Sequence, residues 1–257
     1  MIIKFENVSC GYGNKVVVSN LNLQVKSGEA TCILGPNGIG KTTIFKSLMC
    51  QLELLDGKIL IDDTPADKIE WRDRAKLLSY VPQAKNYSYQ FTVEDIVLMG
   101  RAPYIQTFKT PSQEDRKIVD EVLEKLDIKK YSKRFYSELS GGEQQIILLA
   151  RAMAQKAKFI LLDEPASNLD YKNQKKLLDI ISVLISEGYG VLMVSHNPEH
   201  AFKCCNKTLM IDKNKNYIYG ATKEVVNSEN LTNTYGVDLT VKIEGEGTNQ
   251  LYCCFIN

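Results

Sequence analysis

Two stretches of this chain carry residue types at spacings that phosphate chemistry would need. The first is Gly35-Pro36-Asn37-Gly38-Ile39-Gly40-Lys41-Thr42, with Thr43 directly after it. Glycines at these positions let the backbone curl so that successive N–H groups point inward at an anion. Lys41 adds a full positive charge and Thr42 a hydroxyl able to ligate Mg²⁺, while a helix opening there contributes its partial positive end. The second is Phe159-Ile160-Leu161-Leu162-Asp163-Glu164, an apolar run that ends in two carboxylates. A buried strand ending at Asp163 delivers a carboxylate to the Mg²⁺ shell, and Glu164 follows as a proton acceptor for an attacking water. Singly, a Gly-rich connection and a solvated acidic loop would explain them; in one sheet they predict a nucleotide site.

The elements that must position these residues are legible in the hydropathy pattern. Thr31–Leu34, Leu78–Val81, Phe159–Leu162 and Val191–Val194 are short apolar runs, as strands covered on both faces must be. Lys172–Ser186 repeats Leu177, Leu178, Ile181, Leu184 and Ile185 along one helical stripe. Glu114–Leu126 does the same with Ile118, Val119, Val122, Leu123 and Leu126. Strands alternating with amphipathic helices predict an α/β protein with a largely parallel sheet. Between about 84 and 155 the pattern is helical, which predicts an insertion; beyond about 220 it is too weak to place elements.

Composition narrows the classes further. The 257 residues hold Lys+Arg 32 against Asp+Glu 31, a net charge of +1, which argues against a nucleic-acid partner met by a one-sided field. No run approaches the roughly 18 apolar residues of a membrane span. The start, Met1-Ile2-Ile3-Lys4-Phe5-Glu6, lacks the pattern of a signal peptide, so a cytoplasmic protein is expected. The seven cysteines include no C-x-x-C, and reduced apolar thiols are expected rather than a zinc site.

Leu139-Ser140-Gly141-Gly142-Glu143 resembles the signature motif of the ATP-binding cassette (ABC) ATPases. Other landmarks follow in the family's order. Tyr12 matches the aromatic that stacks on adenine. Gln83 matches the glutamine that meets Mg²⁺ and water. Ser167-Asn168-Leu169-Asp170 matches the loop that crosses the dimer interface, and His196 the histidine at the γ-phosphate. Each residue alone has an ordinary structural explanation; their order and context carry the resemblance.

The resemblance implies ATP and Mg²⁺ as ligands, with Gly35 to Thr43, Tyr12, Ser140, Gly141, Gly142 and Asp170 on the nucleotide. Thr42, Gln83 and Asp163 would serve the metal, and Glu164, His196 and Gln83 the catalysis. It implies a P-loop NTPase sheet core with a small antiparallel β part and an inserted α-helical subdomain. The chain is then one domain, 1–257: a core of 1–83 and 156–225, a helical subdomain 84–155 and a tail 226–257. It further implies head-to-tail homodimers, in which each ATP lies between one copy's phosphate loop and the other's signature. Three residues depart from the usual pattern: Ile146, Ala166 and Asn197.

Within the family, the absence of paired cassettes, coiled-coil insertions and cluster-type cysteines favours a transporter subunit over the soluble members acting on DNA or ribosomes. Phe91-Thr92-Val93-Glu94-Asp95-Ile96-Val97-Leu98-Met99-Gly100-Arg101-Ala102-Pro103-Tyr104 resembles the bacterial importers of iron–siderophore complexes, haem and cobalamin, and Asn168 suits them. Zinc, manganese and molybdate-type importers are the neighbouring alternatives. The partners implied are an integral membrane permease, reached through the segment 83–104, and indirectly an extracytoplasmic solute-binding protein. The place implied is the cytoplasmic face of the membrane.

Overall fold

The chain begins with alternation. Ile3, Phe5, Val8 and Cys10 are buried while Ile2, Lys4, Glu6, Asn7 and Ser9 are not, so β1 (Ile2–Tyr12) presents one apolar face. It folds back antiparallel on β2 (Lys15–Lys26) through a tight turn, where a Cβ on Gly11 would come within 2.0 Å of the Lys15 carbonyl oxygen. The computed structural model describes residues 1–83, 90–167, 169–245 and 250–257. By contact density these form two units, Met1–Lys68 with Ile181–Asn257, and Ile69–Ile180.

In the first unit, β3 (Ala30–Leu34) is buried along its whole length. The phosphate-type loop follows, and α1 (Lys41–Leu48) buries Ile44, Phe45 and Leu48. β4 (Leu54–Ile61) pairs antiparallel with β1 and with the short β5 (Thr64–Pro65), giving the order β2-β1-β4-β5.

The second unit opens with α2 (Trp71–Leu77) and β6 (Leu78–Val81). Helices α3 (Val93–Leu98), α4 (Gln113–Lys125) and α5 (Gly141–Ala154) follow, each starting with a capping box: Thr92 with Asp95, Ser112 with Asp115, Ser140 with Glu143. β7 (Phe159–Asp163) pairs parallel with β6, Leu78 opposite Phe159 and Val81 opposite Leu162. α6 (Tyr171–Ser186) comes next; its residues from Ile181 on belong to the first unit.

A buried ion pair organises the helices. Arg101 Nε lies 2.9 Å from Asp115 Oδ1, and Arg101 also donates to the Ala154 carbonyl at 2.8 Å. The Ser112 hydroxyl first, and then Arg101, holds the Asp115 carboxyl below its ordinary value despite burial. Beside it, a Cβ on Gly100 would sit 2.2 Å from the Arg151 carbonyl oxygen, so only glycine lets this segment approach α5.

The first unit resumes at β8 (Gly190–Val194), α7 (Pro198–Cys204), β9 (Lys207–Ile211) and β10 (Tyr217–Ala221). β3 pairs parallel with β8 on one side and β9 on the other, and β10 lies antiparallel on β9. The tail folds as α8 (Thr222–Val225), α9 (Ser228–Tyr235) and a hairpin of β11 (Leu239–Glu244) with β12 (Leu251–Ile256).

The four expected strands and two expected helices all form, with ends shifted by one residue at most. Among the described residues of 84–155 there is no strand, only an isolated bridge between Thr92 and Phe135. No described helix is long and apolar enough to cross a membrane. Asn168 of the expected interface loop lies outside the described residues, as do 84–89 of the segment 83–104 expected to meet the permease.

Candidate active site

In the first unit, the loop after β3 is shaped by two glycines. Gly35 has φ 153, and a Cβ there would come within 2.6 Å of the Ile211 carbonyl oxygen. Gly40, the left-handed residue that opens α1, has φ 112, and its Cβ would meet Val17 at 2.4 Å. A loop so held cannot take larger residues at these positions without moving β2 or β9. Lys41 is only 5 % exposed, and its ammonium donates to the carbonyls of Gly35 at 2.6 Å and Pro36 at 3.0 Å. A charge buried inside the curl of its own loop is what an anion cradle requires. Pro36, Asn37, Gly38 and Ile39 complete the curl, Thr42 is exposed at the start of α1, and Thr43 is buried.

Tyr12 stands at the end of β1, 48 % exposed. Its hydroxyl bonds to Thr43, which holds the phenol below its ordinary value, with help from Lys46, 3.4 Å from the same oxygen. The hydroxyl is thus fastened to α1 while the ring keeps a face open for a flat aromatic group.

His196 follows β8, the parallel neighbour of β3, so it shares the C-terminal end of the sheet with the phosphate-type loop. The next strand-end residue back, Ser195, donates its N–H to Ile33 at 3.1 Å, and its hydroxyl contacts buried His200 Nδ1 at 3.1 Å. Burial first, then the nearby His196, holds the His200 pKa below its ordinary value. Asn197 caps α7, its side chain accepting the Glu199 N–H at 2.9 Å. Asn and Asp cap equally well, which accounts for this departure.

In the second unit, Asp163 ends β7 and is 9 % exposed. Its Oδ2 accepts the Tyr80 hydroxyl at 3.0 Å. Glu164 takes a left-handed conformation, φ 49, uncommon for a residue with a Cβ. Its carbonyl is held by the Ser167 hydroxyl at 2.7 Å and the Ser167 N–H at 3.2 Å, and Ala166 packs buried inside that turn. Strain at such a position persists only where its surroundings enforce it. Gln83 is half-buried just past β6. Gln145 and Arg151 of α5 donate to the Pro82 and Tyr80 carbonyls, both at 3.3 Å, and so steady the segment that carries it.

The signature residues open α5. Ser140 Oγ accepts the Glu143 N–H at 3.4 Å, and the Glu143 carboxylate accepts the Ser140 N–H at 2.9 Å. Those Ser140 donors, N–H first and hydroxyl second, hold Glu143 below its ordinary pKa. Ser140 and Gly141 are exposed, and nothing lies within 4 Å of a Cβ on Gly141. Gly142 is different, since its Cβ would meet the Asn173 amide nitrogen at 2.4 Å. Asn173 in turn donates to Asp170 from its N–H at 2.8 Å and its side chain at 3.2 Å. Asp170 thereby caps α6 and is linked to the signature through one side chain. Ile146 is buried in α5, where a basic residue would have no solvent.

Sequence reading missed Tyr80, Gln145, Arg151 and Asn173. Arg151 had a signal, being the charge that interrupts the apolar run of α5; the others had none. Thr42 in the first unit, and Gln83 and Asp163 in the second, each offer a side-chain oxygen, the donor type that a hard cation such as Mg²⁺ takes.

The importer-like segment has two faces. Gly100 and Arg101 turn inward, as described, whereas Phe91, Leu98, Met99, Ala102 and Ile105 line an open, largely apolar groove of about 390 Å³.

With this geometry in view, the comparisons with known proteins are specific. Residues 18–167 match the family model described as ABC transporter. The manganese transport system ATP-binding protein MntA of Synechocystis sp. is 36 % identical over 91 % of this chain and 90 % of its own length. The hemin import ATP-binding protein HmuV of Pseudomonas aeruginosa is 32 % identical over 94 % of this chain and 95 % of its own. A solved structure described as an inward-facing metal-chelate type ABC transporter superposes with TM-score 0.88 at 31 % identity, covering 99 % of this chain and 97 % of that one. The chain belongs to the ABC transporter ATP-binding family, whose members bind and hydrolyse ATP.

Proposed function

We propose that this protein is the ATP-hydrolysing motor subunit of a bacterial importer for a metal chelate, with an iron–siderophore complex, haem or cobalamin as cargo. The observation that carries the motor reading is the pair of anion cradles at helix N-termini, Gly35–Thr42 before α1 and Ser140–Gly142 before α5. In this reading ATP lies between the first cradle of one copy and the second cradle of another, and Tyr12 stacks on the base. Thr42, Gln83 and Asp163 would hold Mg²⁺, which when bound neutralises charge on the β and γ phosphates. Glu164 accepts the proton of the attacking water, and His196 holds the γ-phosphate. Turnover of ATP by the purified protein, lost on Glu164→Gln, tests the motor reading.

The cargo reading rests on the segment 91–104 and on the likeness to a hemin importer and a metal-chelate structure. A second reading, a manganese or related metal-ion importer, is favoured by the MntA likeness. The apolar groove beside Leu98 and Met99 supports a permease helix as its occupant. Uptake of labelled haem, ferric chelate, cobalamin and manganese in a deletion strain separates the two cargo readings.

A further inference from the structure

We propose that Tyr235 is a positioning residue for ATP hydrolysis: its hydroxyl fastens the C-terminal helix α9 to the backbone of His196 and so holds the imidazole in place. This rests on the reading of His196 as the γ-phosphate contact.

Everything involved lies in the first unit. Tyr235 is the last residue of α9, and its hydroxyl donates to the His196 carbonyl at 3.4 Å. The backbone of Gly35, the first residue of the phosphate-type loop, is near enough to offset part of the effect of burial on the phenol's pKa. The hydroxyl bonded to the histidine's carbonyl therefore also stands near the start of that loop. Burial raises the phenol's pKa so far that it remains a donor throughout the working range.

The helix that presents this group is itself well fixed. Asn227 caps it, accepting the Asn230 N–H at 2.9 Å, and Leu231 is fully buried. Left-handed Gly236, φ 72, ends the helix directly after Tyr235 and sends the chain into the hairpin. The hairpin is stitched back on α9 by Leu239 N–H to Thr232 Oγ1 at 3.0 Å and Val241 N–H to Ser228 Oγ at 2.9 Å.

The same tail grips the segment beyond His196 at two more points. Tyr252 of β12 stacks on Phe202 of α7, with ring centroids 4.4 Å apart. The Cys254 N–H donates to Glu199 Oε1 at 3.2 Å. His196 thus sits between β8, fixed in the sheet, and α7, clasped by the tail, with Tyr235 on its own carbonyl. A tail needed only for packing would have no reason to place a phenol there.

Tyr235→Phe removes the hydroxyl and keeps the ring. Loss of one such bond predicts a kcat about five- to tenfold lower, with the KM for ATP changed less than about twofold and the melting temperature held. The decisive comparison is a cycle with His196→Ala. If Tyr235 acts through His196, Tyr235→Phe has no further effect on the residual turnover of His196→Ala. A parent kcat in Tyr235→Phe, or the same fold loss in both backgrounds, would overturn the proposal. Parent turnover in His196→Ala alone would instead sink the reading of His196, which separates the two failures.

Discussion

The cradle before α1 and the cradle before α5 use the same materials, glycines at a helix N-terminus, and are built to opposite ends. The first is enclosed: Gly35 and Gly40 are pressed against Ile211 and Val17, and Lys41 is tucked into the curl. The second is open: Ser140 and Gly141 face outward, and the capping box already uses the Ser140 hydroxyl and N–H. An enclosed cradle with its own cation can bind an anion unaided. An open one without a buried cation adds little until another surface supplies the rest of the site. This difference is what a shared site between two copies would need, and it makes the two cradles experimentally separable.

The largest effect expected is on turnover. Glu164→Gln keeps shape and removes the proton acceptor, so the ATPase rate should fall about 10²–10⁴-fold. ATP binding should persist, and with hydrolysis blocked the variant should accumulate as an ATP-dependent dimer on size-exclusion chromatography. A variant turning over at the parent rate removes Glu164 from the mechanism; a monomer with ATP bound breaks the shared-site comparison.

Next come substitutions that address each cradle alone. Lys41→Ala takes a charge-assisted bond from the phosphates and should weaken ATP binding by the monomer about 10–100-fold by titration calorimetry. Ser140→Arg should leave that monomer affinity within about twofold and abolish the ATP-dependent dimer in the Glu164→Gln background. Equal losses of monomer affinity in both variants would show that the cradles serve one chain together, against the comparison.

The enclosed cradle was the more legible in sequence because its chemistry is local. A strand, a glycine-rich loop and a helix are contiguous between Thr31 and Leu48, and burial of both strand faces leaves a plain apolar run. The open cradle was recognised through the family resemblance, since it lacks the strand and the lysine that mark the first one. Its supports were illegible because they come from far along the chain. Asn173 lies against Gly142 from 31 residues further on, just as Tyr80 reaches Asp163 at the end of β7, and nothing in a run of residues announces such pairings. The tail failed differently. Leu239–Glu244 and Leu251–Ile256 alternate only weakly, because part of the hairpin stays exposed, so the core-facing period that marks a strand is blurred.

The smallest effect expected isolates the capping box itself. Ser140→Ala removes the hydroxyl that accepts the Glu143 N–H and should cost about 1 kcal/mol of stability in urea unfolding. The partner arm is pH-dependent. Glu143 has a folded-state pKa below its ordinary value because the Ser140 N–H, and then the Ser140 hydroxyl, donate to its carboxylate. A depressed folded pKa means the contribution is fully present above the unfolded value, roughly 4.3, and is lost as pH falls through the folded one. Glu143→Gln keeps a hydrogen-bonding side chain but loses the charge. The stability gap between parent and Glu143→Gln should therefore be constant above about pH 5 and close as the pH drops below about 4. Amide exchange at Ser140 and Glu143 should quicken in the parent over that same window, whereas exchange in Gly35–Lys41, where the Lys41 ammonium is held by the Gly35 and Pro36 carbonyls, should not follow it. Parallel quickening in both loops would mean that acid loosens the whole fold, and the separate construction of the two cradles would lose its support.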